Sequence, residues 1–203
     1  MENGIPEMAD IVFDLGGAAP PATYPFALWA ELSRLAPQLA KQKQVGVLPL
    51  RLTANSAGML LPRRTRLIVR VSAAFSGQAL ASLSEQRIEV EGCELRLGTG
   101  VLRLIQPHPT LHAQMVAGEA DESLFIGNIR EQLSRMSVSG GLICGKRHTL
   151  ANKEQSIHGF SLVIHDLKPD ASLKLQYAGL GDARQFGCGI FIPYKVISGL
   201  NDA

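Results

Sequence analysis

The two halves of the chain repeat one order of secondary-structure signals, and this repetition constrains the fold more than any other feature of the sequence. Each half begins with an alternating run of apolar residues, which is typical of a strand. A helical pattern, two strand patterns, a second helical pattern and a last strand pattern follow. The sequence therefore predicts the order β-α-β-β-α-β twice.

The predicted elements have the following positions. In the first half they are strands at 9–15, 45–52, 65–71 and 87–97 and helices at 24–37 and 75–83, with a turn inside the last strand at Glu91-Gly92. In the second half they are strands at 111–116, 142–150, 157–165 and 188–193 and helices at 121–136 and 169–177. Residues 98–109 are predicted to be the boundary between the halves.

This repeated order is the ferredoxin-like supersecondary pattern. The chain has 203 residues and is 46% hydrophobic, which is enough for two compact units with their own cores. We therefore predict an α+β fold of two tandem ferredoxin-like domains, residues 1–104 and residues 105–203. Ferredoxin-like folds carry many unrelated functions, so the fold alone does not identify the function.

Composition limits the chemistry. Cys93, Cys144 and Cys188 are odd in number and form no CxxC pair, which argues against a disulfide framework or a cysteine zinc site. The start of the chain lacks the pattern of a signal peptide, and no apolar run reaches membrane-spanning length. The net charge is only +2, so a nucleic-acid partner requires clustered cations. We predict a cytoplasmic protein with no membrane partner, no metal and no cofactor.

The most distinctive motif is the glycine-rich segment at 179–189, GLGDARQFGCG, in which two Gly-apolar-Gly brackets enclose five residues. Glycine permits positive φ and close backbone approach, so amides of this loop can point at an RNA phosphate while Arg184 supplies charge. The alternative is a purely structural turn. A dinucleotide loop is disfavoured because the third glycine of G-x-G-x-x-G is missing. The RNA contacts predicted from this loop are Gly179, Gly181, Arg184, Gln185, Phe186, Gly187 and Gly189.

The doubly bracketed loop resembles that of the CRISPR-associated repeat-processing endoribonucleases, members of the repeat-associated mysterious protein superfamily. The segments DIVFDLGG, VGVLPLR, SLKLQYAGLG and FGCGIFIPYK are similar to the short subtype named after Myxococcus, so the resemblance covers nearly the full length. The resemblance implies that the protein binds a CRISPR repeat hairpin and cuts beside it without metal, leaving a 2′,3′-cyclic phosphate. It also implies retention on the guide RNA stem-loop, with other CRISPR effector-complex subunits as further partners.

Cleavage of this kind needs a base for the 2′-hydroxyl, an acid for the departing 5′-oxygen, and cations around the phosphorane. The resemblance places a catalytic histidine at the start of the first helix, where this sequence has Tyr24, and a second histidine where it has Leu48. Three alternatives remain: Tyr24 transfers the proton, another histidine has taken the role, or cleavage is slow or lost. Tyr24 is also consistent with an aromatic anchor or a base-stacking platform.

His148 is the strongest replacement, because it follows Lys146 and Arg147 in a predicted basic turn that enters a strand. All three are predicted to contact phosphate or the cleavage site, with a solvated turn as the alternative.

The other histidines carry weaker predictions. His108 and His112 lie four residues apart in a proline-rich linker with no nearby carboxylate, which disfavours a metal site. His158 and His165 flank an apolar strand and are predicted at the core edge or the surface.

A second basic cluster contains Arg63, Arg64 and Arg66, three arginines in four residues. Arginine suits bidentate contacts with phosphate and guanine, so we predict that this cluster binds RNA, with surface solubility as the alternative. Arg51 and Lys195 are weaker candidates at strand ends.

These observations favour a CRISPR repeat endoribonuclease. A non-catalytic subunit that binds the repeat hairpin is the main rival, suggested by the two missing histidines. A small-molecule-binding domain is the third hypothesis, supported only by the versatility of the fold.

Overall fold

The computed structural model describes residues 5–55 and 58–194. The elements of the first half are β1 Met8–Gly17, α1 Tyr24–Leu35, β2 Gly46–Val47, β3 Thr53–Asn55, β4 Gly58–Leu60, β5 Arg66–Ser72, α2 Ser76–Leu83, β6 Arg87–Val90, β7 Cys93–Leu97 and β8 Val101–Leu104. Those of the second half are β9 Leu111–Ala117, α3 Glu122–Arg135, β10 Gly141–Ala151, β11 Ser156–His165, α4 Pro169–Ala178 and β12 Ile192–Pro193. Lys195 lies outside the described residues.

The first sheet is organised around β1. Its strand order is β2-β5-β1-β7-β6, and β8 also pairs with β1. β1 pairs with β8 over residues 9–12 and with β7 over residues 15–17, so two short strands follow one another along the same edge. Side chains alternate between the faces of a strand. Ile11 and Phe13 therefore pack with Leu28 and Leu32 of α1, while Asp10 lies on the opposite face.

The second sheet has the order β10-β11-β9-β12, and all its pairs are antiparallel. Helices α3 and α4 cover one face, where Phe125, Ile129 and Leu175 pack against Leu162 and neighbouring strand residues. In the second sheet β9 lies between β11 and β12. In the first sheet β1 likewise lies between β5 on one side and β7 and β8 on the other, and β8 is the last strand of that half. No helix in the described part of the chain is long and apolar enough to cross a membrane.

Most of the predicted elements are confirmed, and the differences have local causes. The strand predicted at 45–52 is reduced to Gly46–Val47, because the Leu48 amide still donates to Ile68 O (2.9 Å) but Pro49 has no amide hydrogen to continue the ladder. The strand predicted at 188–193 begins only at Ile192, because Gly189 belongs to the glycine-rich loop. The hairpin of β3 and β4 was not predicted.

Residues 98–109, the predicted boundary between the halves, contain β8, which was not predicted. The four residues of β8 pair with the central strand of the first sheet, so the chain leaves the first half only after Leu104.

Arg70 is a buried arginine that joins the two halves. It is 1% exposed, and its Nε and Nη2 atoms donate to the carboxylate of Asp10 at 2.7 and 3.2 Å. Its Nη1 atom donates to two carbonyls of the second half, Gln176 O at 3.0 Å and Phe191 O at 2.9 Å. Arg103 adds a contact to Asp10 at 3.0 Å. Every nitrogen of the guanidinium therefore has an acceptor, which a buried charge requires.

Replacing Arg70 with methionine should lower the free energy of unfolding by about 3–5 kcal/mol, because the buried Asp10 carboxylate loses its main partner. Chemical denaturation measures this loss. Arg66→Met is the matched control: the residue lies on the same strand, is 58% exposed and contacts Asp14 only at 3.4 Å, so its loss should stay below about 1 kcal/mol. Equal losses in the two variants would contradict this role of Arg70.

Candidate nucleic-acid interface

The glycine-rich loop depends on its four bracketing glycines. Gly179, Gly181, Gly187 and Gly189 have φ values of +70°, +65°, +95° and +66°. A Cβ atom at Gly189 would collide with the carbonyl of Leu180, and one at Gly181 would collide with the carbonyl of Ala117. Both the positive φ values and the close backbone approach explain why the loop uses glycine at these positions.

Most amides of this loop are occupied inside the protein. The amide of Leu180 donates to Gly189 O (3.3 Å), that of Gly189 to Met115 O (2.8 Å), and that of Gly181 to Gln132 Oε1 (3.0 Å). Among the described residues, no acceptor is found for the amides of 182–185. The amides available to a phosphate are therefore those of residues 182–185, and not those of the whole loop as predicted.

Arg184 points inward. It is 6% exposed, and its Nη1 atom donates to the carbonyls of Tyr177, at 3.1 Å, and Ala178, at the C-terminus of α4. A cation is favourable there because unpaired carbonyls and the helix dipole concentrate negative charge. Burial, followed by the charge of Arg70, lowers the pKa of Arg184 to about 10. The sequence interpretation required an exposed Arg184 for a phosphate contact, whereas this geometry assigns it to fixing the loop on α4.

The loop is seated on the first half of the chain. The ring of Phe186 packs on that of Phe26 with centroids 4.7 Å apart, and a Cβ at Gly187 would lie 3.0 Å from Pro49 Cγ. Phe186 and Gln185 are half-buried. The loop is thus held between α4 and the residues that follow β2.

Tyr24 is 8% exposed and packs in the first core. Its hydroxyl accepts a hydrogen bond from the amide of Leu50 at 2.7 Å. Burial raises the pKa of Tyr24 to about 12, and the backbone hydrogen bond only partly opposes this shift. A buried phenol that holds its proton this strongly is a poor base at neutral pH, so the geometry does not support the catalytic interpretation and fits the aromatic anchor. Leu48 is buried as well, at 7% exposure.

The arginine cluster lies at the end of β5. Arg63, Arg64 and Arg66 are exposed, while Thr65 between them is buried. The Thr65 hydroxyl donates to Arg51 O at 3.3 Å, which brings the exposed Arg51 beside the cluster. The four arginines thus form one cationic surface, which is called the arginine cluster below.

One segment connects this cluster with the loop. Residues 46–51 contact Gly187 through Pro49 and donate a hydrogen bond from the Leu50 amide to the Tyr24 hydroxyl. The carbonyl of Arg51 accepts a hydrogen bond from Thr65. The glycine-rich loop and the arginine cluster are therefore neighbours along a single stretch of backbone.

Lys146, Arg147 and His148 lie within β10 and not on a turn, which corrects the sequence interpretation. The pairing of β10 with β11 shifts register between Cys144 and Arg147, so Lys146 lies in a bulge and Arg147 and His148 are the paired residues that follow it. These three residues are called the basic bulge. Bulges redirect side chains, and here Lys146 and Arg147 are exposed while His148 is half-buried.

Strand register relates this bulge to the glycine-rich loop. His148 is paired with Gly159, and Gly159 is paired with Ala117, whose carbonyl lies against Gly181. Two strand spacings separate the backbone of His148 from that of Ala117, which is about 10 Å. The bulge and the loop therefore lie at the same end of the second sheet.

The described residues contain no cluster of three or more His, Cys, Asp or Glu side chains that could hold a metal ion. Histidine, lysine, arginine and backbone amides are the groups that the loop, the cluster and the bulge present. These groups can bind phosphates and exchange protons.

A family model described as Cas6 Crispr matches residues 9–196. The chain belongs to this family. The CRISPR-associated endonuclease Cas6 of Myxococcus xanthus is 30% identical to it over 186 residues, which cover 91% of this chain and 80% of the relative. The resemblance inferred from the sequence is thereby confirmed.

Solved structures of a Cas6-related protein and of a RAMP protein share the fold. A Cas6-related protein from Pyrococcus furiosus superposes with a TM-score of 0.67 at 12% identity, covering 91% of this chain and 98% of its own. A RAMP protein described as binding different RNA substrates superposes with a TM-score of 0.65 at 11% identity, covering 90% and 98%.

Sequence reasoning placed Arg70 with the basic cluster 63–66 and missed its buried contact with Asp10, which Arg103 also contacts. The available signal was a charged residue within an apolar run at each position, although only Asp10 and Arg70 lay in predicted strands and Arg103 lay in the predicted boundary. Only the pairing of the strands brings the three side chains to one point on the face opposite the core.

Replacing Tyr24 with phenylalanine tests its role as an anchor. The variant should lose about 1–3 kcal/mol in the free energy of unfolding, because the buried amide of Leu50 is left without an acceptor. Chemical denaturation measures the loss, and Tyr194→Phe, at a tyrosine that is 46% exposed, is the control. RNA cleavage per folded molecule should not change; a loss of cleavage above about a hundredfold would instead indicate proton transfer by the Tyr24 hydroxyl.

Proposed function

We propose that this member of the Cas6 family is a metal-independent endoribonuclease that binds the CRISPR repeat hairpin and cleaves precursor CRISPR RNA into guide RNAs. The proposed product carries a 2′,3′-cyclic phosphate, and the enzyme stays on the 3′ stem-loop, where other subunits of an effector complex join it. The observation that carries this proposal is the position of the arginine cluster and the basic bulge around the glycine-rich loop. The name of the Myxococcus relative, an endonuclease, supports it.

The proposed architecture is a tandem of two ferredoxin-like domains, residues 1–104 and 105–203. The strand orders support it, because β1 lies between β5 and β8 in the first sheet as β9 lies between β11 and β12 in the second. The end of β8 at Leu104 agrees with the proposed boundary.

In this proposal the arginine cluster and the bulge bind the backbone of the hairpin. Guanidinium groups make bidentate contacts with phosphates, and Lys146 and Arg147 add charge at the second sheet. The amides of 182–185 supply the contribution of the loop, and the bracketing glycines and Arg184 keep the loop in place. The RAMP structure described as binding RNA supports an RNA partner.

His148 is the proposed proton-transfer group. Histidine exchanges protons near neutral pH, so it can take the proton of the 2′-hydroxyl or return one to the 5′-oxygen. Lys146 and Arg147 beside it would stabilise the additional negative charge of the phosphorane. Tyr24 has no part in proton transfer in this scheme, because it is buried in the first core, where its hydroxyl accepts a hydrogen bond from the Leu50 amide.

A second candidate function is a subunit that binds the hairpin without cutting it. The observation that favours it is the burial of both Tyr24 and Leu48, at the two positions where the family resemblance places histidines. This candidate predicts the same RNA affinity and no cleavage, so one set of experiments separates the two.

The arginine cluster predicts a salt-dependent affinity. Changing Arg63, Arg64 and Arg66 together to glutamine should weaken binding of the cognate repeat hairpin by at least about tenfold at physiological salt, and should lower the slope of log affinity against log salt by about 2–3. Gel-shift titrations at several salt concentrations measure both quantities.

The matched control is the triple glutamine variant of Arg34, Arg87 and Arg96, which removes the same charge. Arg34 and Arg87 line a surface cavity together with the carboxylates of Glu31, Glu89 and Glu94, and Arg96 Nε lies 3.7 Å from Glu94 Oε1. Their variant should keep the affinity and the slope of the wild type. If both triple variants weakened binding to a similar extent, net charge alone would explain the affinity. That result would contradict a defined RNA-binding surface at the arginine cluster.

Cleavage without metal is tested by incubating excess protein with cognate repeat RNA in EDTA. The RNA should be cut once, and His148→Ala should slow the single-turnover rate by about 10²–10⁴-fold through loss of proton transfer. The control is His158→Ala on strand β11, which pairs with β10. The ring of His158 contacts the hydroxyls of Thr149 and Ser156. RNA that binds tightly but stays intact would favour the non-catalytic subunit. An unchanged cleavage rate in His148→Ala would show that His148 takes no part in proton transfer.

A further inference from the structure

The face of the second sheet that α3 and α4 leave uncovered carries three rings. His112 lies on β9, His165 ends β11, and Tyr194 directly follows β12. His112 is paired with Val163 on one side and with Ile192 on the other. Because side chains alternate along a strand, this row lies opposite the buried row of Leu111 and its partners. We call this uncovered surface the open face.

His165 is fixed at the edge of the open face. Its Nδ1 atom lies 2.8 Å from Asp166 Oδ2. The imidazole occupies the space above Gly141, where any Cβ atom would collide with the ring. The side chain of His165 is 38% exposed. The ring is thus held across the sheet, with more than a third of its side chain accessible.

His112 and Tyr194 form the second part of the open face. Their ring centroids are 5.6 Å apart with planes inclined by 56°, and Tyr194 is 46% exposed. The Nδ1 atom of His112 is buried and has no partner among the described residues. Its strand neighbours Val163 and Ile192 are apolar, so a leucine would pack there without leaving a buried nitrogen unpaired. Packing alone therefore does not account for a histidine at this position.

We propose that the open face is a stacking platform for unpaired nucleobases of RNA, separate from the arginine cluster. The proposal deepens the RNA binding proposed above and rests on it. In RNA-recognition sheets of four strands, aromatic side chains on the sheet stack two or three bases. Here the two central strands, β9 and β11, carry His112 and His165, and Tyr194 extends the row at β12.

The chemistry of the open face suits unpaired RNA bases better than base-paired RNA stems. Rings stack on any base, because every base has a π-face, whereas the bases of a hairpin stem are covered by their own neighbours. Ile143, 53% exposed and paired with Val163, extends the apolar part of the surface. The Nε2 atom of His165, whose Nδ1 atom is occupied by Asp166, adds a hydrogen-bonding group for base edges.

The test compares two probes, a fluorescein-labelled hexa-adenosine RNA and the cognate repeat hairpin without unpaired extensions. Tyr194→Leu and His165→Leu should each weaken hexa-adenosine binding by about 5- to 100-fold, the range that corresponds to one lost base stack. Both variants should bind the hairpin within about twofold of the wild type, because stems use the arginine cluster. Fluorescence anisotropy measures both affinities.

Three variants control for stability and chemistry. Tyr194→Phe keeps the ring and should keep the affinity for hexa-adenosine. Tyr194→Trp should keep it as well, and its indole fluorescence should be quenched on titration beyond any change seen in the wild type, which contains only Trp29. His158→Leu removes a histidine from β11 that is bonded to Thr149 and should bind both probes like the wild type.

The outcomes separate this proposal from the function on which it rests. A wild-type protein that does not bind hexa-adenosine overturns the platform, and so do equal losses for both probes or a Tyr194→Phe variant as weak as Tyr194→Leu. A wild-type protein that binds hexa-adenosine but not the hairpin overturns the proposed hairpin recognition and leaves the platform standing.

Discussion

Arg70 determines how the two halves of this protein meet, because its guanidinium is shared between them. Two of its nitrogens bind Asp10 in the first sheet, and the third binds carbonyls at the end of α4 and just before β12. These two carbonyls flank the glycine-rich loop. The position of the loop relative to the first half therefore depends on one buried cation whose hydrogen-bonding atoms are all paired.

The main role of the glycine-rich loop is to turn the chain, and the proposed RNA binding is its smaller role. Its brackets turn the chain where no side chain fits, and Arg184 closes the C-terminus of α4 from inside. Such a loop offers few groups to RNA, since most of its amides are already used. The exposed cations at residues 51–66 and at the bulge of β10 surround it, so the loop positions the surface that they form.

The sequence was informative about elements and less so about which side chains face solvent. Hydrophobic periodicity located nearly all strands and helices because each has one apolar face, and the spacing of four glycines identified the loop. Periodicity could not reveal that Tyr24 is bound to Leu50 or that Arg184 is covered, because both contacts join distant segments. For the same reason, His112 was predicted in a linker and His165 at the core edge or the surface, although strand pairing brings them onto one face.

The Arg70 contacts also affect how the two halves of the protein unfold. A fragment that ends after β8 keeps Asp10, Arg70 and Arg103 but loses the two carbonyl acceptors, which leaves part of a guanidinium without partners where water now enters. If the second half is expressed alone, the carbonyls of Gln176 and Phe191 that Arg70 contacts lose this partner. The halves should accordingly melt as one cooperative unit, and separately expressed fragments should complement each other when mixed.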